Sequence, residues 1–137
     1  MMNCGGGLMK RNIVKEKSFD FALRIVKLYK YLCNEQREFV LSKQLLRSGT
    51  AIGALVSESE YAESKADFIH KMAIAQKEAN ESEYWIELLY RSNYINEKSY
   101  NSIHSDLTEI FKLLSSIILT AKENQDMKKN SVVPKKE

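Results

Sequence analysis

From Phe68 to Leu89, the residues Phe68, Met72, Ala75, Ala79, Ser82, Ile86 and Leu89 recur at spacings of four, three, four, three, four and three. Such a row falls on one face of an α-helix, which turns every 3.6 residues, and on no strand. A stripe sustained this long must be buried along its length against other helices. The same period runs through Phe21, Ile25, Leu28 and Leu32, and again through Ile103, Leu107, Ile110, Leu114, Ile117 and Ala121. The only proline is Pro134, so nothing before it is barred from a helix. Polar breaks at 34–39 and 93–96 separate the runs, and the asparagines of the second accept turn conformations. A first helix is expected over about 18–33. Ser42 can cap a second, running to about Tyr61, and Ser64-Lys65-Ala66-Asp67, a capping box with aspartate for glutamate, starts a third that ends near Ser92. Short connections between long helices favour antiparallel neighbours, which predicts an all-α, up-down-up-down antiparallel four-helix bundle. It occupies 18–123, between a flexible basic leader over 1–17 and a disordered basic tail over 124–137.

At 137 residues and 44% hydrophobic content the chain suits one domain with a real core. Its longest nearly apolar run, Leu113 to Ala121, is far too short to span a bilayer, and Met1 to Gly7 holds no apolar signal segment. A cytoplasmic protein is expected. Cys4 and Cys33 match no disulfide framework or metal spacing and read as free thiols. The net charge of +3 is unevenly spread, with basic ends on a slightly acidic middle. Basic ends suit contact with nucleic acid, and equally suit solubility.

Outside Gly5-Gly6-Gly7 the only glycines are Gly49 and Gly53, in the middle of the second helix. A glycine inside a helix costs about 1 kcal/mol relative to alanine, so a pair on one face implies close approach of another backbone. The small residues Ala75, Ala79 and Ser82 of the third helix are the expected counterpart, giving a seam of Gly49, Gly53 and Ser57 against Ala75, Ala79 and Ser82. The competing reading makes Gly49 a helix C-cap. It would leave a very short first piece, while the apolar period passes straight through Ser48-Gly49-Thr50-Ala51-Ile52. Opposite the glycines, Arg47, Ala51, Ala54 and Glu58 form a face of small residues flanked by charge. Ile74, Trp85 and Leu88 project beside the core stripe of the third helix. Both groups are expected at a contact between subunits, against the plainer reading of a solvated face.

Chemistry-bearing patterns are sparse. Di-iron bundles use paired Glu-x-x-His motifs, and Asp67-Phe68-Ile69-His70 is the only acidic-x-x-His spacing here. No phosphate-binding glycine loop, nucleophile elbow or zinc spacing occurs. No enzymatic activity, metal or cofactor is therefore expected. On the first helix Lys17, Arg24 and Lys27, with Tyr31 to one side, form a strip able to track phosphates, although such a strip is also an ordinary solvated face.

The blocks Gln44-Leu45-Leu46-Arg47-Ser48-Gly49-Thr50-Ala51-Ile52-Gly53-Ala54, Asp67-Phe68-Ile69-His70-Lys71-Met72 and Ala79-Asn80-Glu81-Ser82-Glu83-Tyr84-Trp85-Ile86-Glu87-Leu88-Leu89 resemble the four-helix-bundle family of 23S rRNA-intervening-sequence proteins. The accessory protein of diversity-generating retroelements is a distant relative of that family. The resemblance covers about 19–123 and implies bundles that assemble into rings, typically pentamers, with no catalytic motif. Two functions follow as expectations. The first is a homo-oligomer binding RNA or DNA through basic surface repeated by symmetry; the second is a scaffold docking a protein partner such as a reverse transcriptase.

Overall fold

The computed structural model describes residues 2–132, with side chains from 7 to 128. Among these residues there are four α-helices and no strand: α1 (Met2–Asn34), α2 (Leu41–Ser59), α3 (Lys65–Arg91) and α4 (Glu97–Val132). Each helix packs on two others, α1 on α2 and α4, and α3 on the same two. Lys15 reaches Glu60 and Cys33 lies beside Ser42 across the α1/α2 seam. Across α3/α4, Gln76 donates to Ser115 and Tyr90 stacks on Tyr100. Across α1/α4, Lys10 reaches Ser116 and Arg24 reaches Asp106.

The stripes enter the core as their spacing requires. All seven residues of the Phe68 to Leu89 row are buried, as is the full row from Ile103 to Ala121. On α1, Phe21, Ile25 and Leu32 are buried and Leu28 packs against them. Burying a side chain of this size contributes about 1.5–3 kcal/mol each, which makes these rows the main support of the fold.

Three expectations change. The flexible leader over 1–17 and the disordered tail over 124–137 are helical over 2–17 and 124–132, while Met1 and 133–137 lie outside the described residues. The core explains the extension at the first end: Val14 is wholly buried and Arg11 lies over the Phe68 ring at 5.2 Å. Second, Ser42 does not cap α2. The helix starts at Leu41, two residues earlier than a Ser42 cap would give, and the carboxylate of Glu38 accepts hydrogen bonds from the backbone N–H groups of Val40, Leu41 and Ser42 at 3.1, 2.9 and 2.6 Å. Burial opposes the charge on Glu38, but these three donors outweigh it and hold the carboxyl below its ordinary pKa. Ser64 does cap α3, accepting from Asp67 N–H at 3.0 Å; Asp67 returns the bond to Glu63 rather than to the cap residue.

The third change concerns the glycines. α2 runs unbroken through both, and neither has a positive φ, which excludes the C-cap. Their close neighbour is α1, not α3. A Cβ added at Gly53 would lie 3.1 Å from the backbone carbonyl oxygen of Ser18, and one at Gly49 would lie 2.8 Å from Cγ1 of Ile25. Ala75, Ala79 and Ser82 are buried on α3, and α2 meets that row through Ser48: Ser82 Oγ lies 3.0 Å from Ser48 Oγ and 2.9 Å from the Glu78 carbonyl oxygen. Ser57 is exposed. The expected glycine–alanine seam is thus two contacts on different sides of α2. Adjacent core-facing rows of one helix point at different neighbours, and the spacing alone did not separate them.

Candidate functional site

The basic strip of α1 is only partly available. Lys17 pairs with Glu109 at 3.1 Å, and Arg24 pairs with Asp106 at 2.7 Å while donating to Ser102 Oγ at 2.8 Å. These α4 carboxylates neutralise two of the three cations expected to track phosphates. Among the described residues Lys27 has neither ion pair nor side-chain hydrogen bond. It shares a groove of about 360 Å³ with Arg24, Leu28, Tyr31, Ile95, Asn96, Ser99 and Ile103, where the C-terminal half of α1 faces the start of α4. Arg24, Lys27 and Tyr31 therefore come together as the strip reading requires. Lys17 does not join them; it lines a smaller cavity of about 190 Å³ with Asp20, Asp106 and Glu109.

The groove has a built chemistry. Leu28, Ile95 and Ile103 give it an apolar lining, Ile95 and Ile103 being core residues. Tyr31 remains exposed, with its hydroxyl accepting from Gln36 Nε2 at 2.7 Å. At the start of α4, Asn96 Oδ1 accepts the Ser99 N–H at 2.8 Å. That bond orients the asparagine and leaves its amide NH₂ to donate elsewhere.

The expected subunit-contact residues form a ridge between α2 and α3. Arg47 donates to Glu81 and, at 3.4 Å, to Glu78, while Trp85 Nε1 donates to Glu81 at 3.2 Å. Glu81 thus ties Arg47 to Trp85, and the bonds from Arg47 and then Trp85 hold its carboxyl below the usual range. Ala54 and Glu58 are exposed; Ala51, Ile74, Trp85 and Leu88 are half-buried. Arg47 is consequently engaged within its own chain.

α1 carries a further exposed face that is apolar. Phe19, Leu23 and Val26 of α1 are 63%, 56% and 36% exposed and stand on one side at spacings of four and three. The signal was in the sequence: this row is as periodic as Phe21, Ile25 and Leu28, but displaced around the helix. Two apolar rows on one helix mean that one bundle core cannot cover both. The row emerges where α1 and α2 are closest, since Phe19 N lies 3.6 Å from the Cβ position of Gly53.

Among the described residues, no group of three or more His, Cys, Asp or Glu converges to hold a metal. Asp67 is spent on Glu63 N–H and Lys71, and His104 faces Glu83 at 2.7 Å. Cys33 is a half-buried free thiol, and the side chain of Cys4 lies outside the described residues. No helix among the described residues is long and apolar enough to cross a membrane.

The fold is similar to that of a solved structure. It is a protein of unknown function from the S23 ribosomal protein family of Bacteroides thetaiotaomicron VPI-5482, 64% identical over 80% of this chain and 97% of that one, with a TM-score of 0.79. No curated protein matches. The family model described as 23S rRNA-intervening sequence protein matches residues 10–116, a span that takes in the Gly49/Gly53 block, the α3 stripe and most of the α4 row. Fold, core pattern and family model agree, and the chain belongs to the 23S rRNA-intervening sequence protein family.

Proposed function

We propose that this protein is a non-enzymatic, cytoplasmic subunit of a homo-oligomer that presents basic surface to RNA or DNA. Its bundle runs up-down-up-down. The residue pairs that join neighbouring helices in opposite order, such as Lys15–Glu60 with Cys33–Ser42, support that topology. The exposed row Phe19, Leu23 and Val26 carries the assembly. An isolated bundle gains nothing by exposing three large apolar residues in register, whereas a second copy covering them gains about 25 cal/mol per Å² of apolar surface removed from water. A pentamer is the number that the family resemblance favours. The ridge of Arg47, Ala51, Ala54, Glu58, Ile74, Trp85 and Leu88 is the surface proposed to meet the row from a neighbouring copy, by a heterologous contact that closes into a ring.

Nucleic-acid contact is the second part of the proposal, supported by Lys27 and Arg24 beside Tyr31. Symmetry then multiplies a weak single site. Light scattering coupled to size exclusion tests assembly: the wild-type chain is expected to run as an oligomer and the Phe19→Ser/Leu23→Ser variant as a folded monomer. A wild-type monomer at micromolar concentration would end this reading. Titration of structured RNA and duplex DNA across a salt series tests binding, which should weaken steeply with salt. Absence of binding at low salt would leave an assembly that docks a protein partner, such as a reverse transcriptase.

A further inference from the structure

We infer that the groove between the end of α1 and the start of α4 is a pocket for a single unpaired nucleotide, so that this protein prefers single-stranded or looped nucleic acid to duplex. The inference rests on the nucleic-acid part of the proposed function and adds what kind of strand is bound, and where.

Three properties of the groove point to a nucleotide. The first is shape. About 360 Å³ falls at the small end of ligand sites, which run from roughly 300 to 1,000 Å³, and gives room for one base with its sugar but not for a base pair in a helix. The second is the combination of surfaces. Tyr31 stands beside an apolar lining of Leu28, Ile95 and Ile103, and an aromatic ring above an apolar floor is how proteins receive the face of an unstacked base. The third is where charge lies. Lys27, whose ammonium has no acidic partner among the described residues, stands on the wall with Arg24, whose guanidinium has spent two donors on Asp106 and Ser102. Lysine therefore meets the phosphate, and arginine adds field without being the principal contact. The Asn96 amide and the Ser99 hydroxyl complete the wall with groups able to meet a base edge.

The helix N-terminus of α4 is not what recommends the site, because Asn96 already occupies the Ser99 N–H. An acidic peptide would satisfy Lys27 but would leave the tyrosine and the apolar lining without a matching partner. A duplex offers phosphates to Lys27 but keeps its bases stacked and out of reach of the groove.

Fluorescence anisotropy of the full chain with labelled oligoadenylate, an adenine–uracil duplex of equal length and a poly-glutamate peptide distinguishes these occupants. Oligoadenylate is expected to bind at least tenfold more tightly than the duplex. Tyr31→Ala should weaken it about tenfold, the scale of one lost base–aromatic stack, whereas Tyr31→Phe should leave affinity within about twofold. Lys27→Gln should lower the slope of log affinity against log salt by about 0.7 per site, as for one phosphate contact on a single strand. Both positions are exposed, so neither variant threatens the core. Equal binding of strand and duplex, insensitive to Tyr31→Ala, would overturn the groove while leaving general nucleic-acid binding intact. Binding of poly-glutamate as tightly as oligoadenylate, with the same dependence on Lys27, would overturn it in favour of an acidic protein partner. No binding of any nucleic acid at low salt would overturn the parent reading as well.

Discussion

Gly49→Ala isolates the physical reason for the glycines. The added Cβ would come within 2.8 Å of Ile25 Cγ1, 3.1 Å of Cγ2 and 3.3 Å of Cδ1. Ile25 is wholly buried and branched at Cβ, so its two γ carbons cannot both rotate clear of one point. Overpacking of this kind costs about 1–3 kcal/mol. Alanine returns about 1 kcal/mol of helix propensity, leaving a net loss of about 0–2 kcal/mol. A small net loss has several explanations, and the decisive quantity is therefore the coupling to Ile25. Ile25→Ala alone should cost about 2–5 kcal/mol. With Ile25→Ala in place, the γ carbons are gone and the methyl at position 49 partly fills the space. The double variant should then be more stable than the sum of the singles by about 1–3 kcal/mol, within the range of coupling between touching residues. Urea unfolding followed by circular dichroism at fixed protein concentration measures this, with the concentration held because association shifts apparent stability. Additivity to within about 0.5 kcal/mol would refute the assignment of α1 as the neighbour. Coupling of Gly49→Ala to Ala79→Gly of similar size would restore α3 to that place.

Gly53→Leu should be worse, losing at least about 3 kcal/mol, because its neighbour is the Ser18 backbone, which no side-chain rotation can move; undiminished stability in the same urea titration would count against close packing. Glu38→Gln should cost about 0.5–2 kcal/mol as a lost cap. The sign with pH is fixed by the depressed carboxyl: its contribution is full above the unfolded value of about 4.3 and disappears as pH falls through the lower folded value, so the gap between wild type and variant should narrow in acid. Asp106→Asn/Glu109→Gln removes the carboxylates beside Arg24 and Lys17. It should change stability by no more than about 1 kcal/mol per exposed pair yet tighten binding of oligoadenylate; weaker binding would show that the cations are not the contact.

The helices were legible because burial in a bundle imposes a period that few other structures share: every residue of the α3 and α4 rows is in the core. The ends of the outer helices were not. Val14 belongs to the core and stands on the same row as Phe21, Ile25 and Leu32, but the buried Ser18 between Val14 and Phe21 breaks the apolar run that would have announced it. The cap of α2 was hidden for a different reason. Glu38 reaches donors two, three and four residues ahead from a turn in which Arg37 has φ of 54°, and no local pattern announces such a turn without glycine. For the site, charge and aromatic placement on α1 were visible, and Arg24, Lys27 and Tyr31 do share a groove. The neutralisation of Arg24 and Lys17 was not, since Asp106 and Glu109 lie on the last helix and become partners only once α4 packs against α1.

The packing of α4 on α1 also explains why the groove lies on the seam between them. The glycines let α1 sink onto α2 until one backbone meets the other, and α1 meets α4 over the smallest contact of the four neighbouring pairs. Ion pairs bridge much of the remaining gap, with Lys17 to Glu109 and Arg24 to Asp106 standing where the α3/α4 seam has stacked rings and buried chains. Exposed ion pairs contribute about 0–1 kcal/mol each, far less than the apolar rows on the other seams. A helix packed on two neighbours couples the two seams, and the grooves lined by Arg24 and by Lys17 lie along the α1/α4 side. Widening the close seam should therefore reach the distant groove. A Gly53→Ala protein, folded but with α1 displaced by a few tenths of an ångström, should bind oligoadenylate with altered affinity although position 53 lies on α2 and lines no part of the groove. Unchanged affinity in a variant whose stability has measurably shifted would separate the two seams and leave the groove to α4 alone.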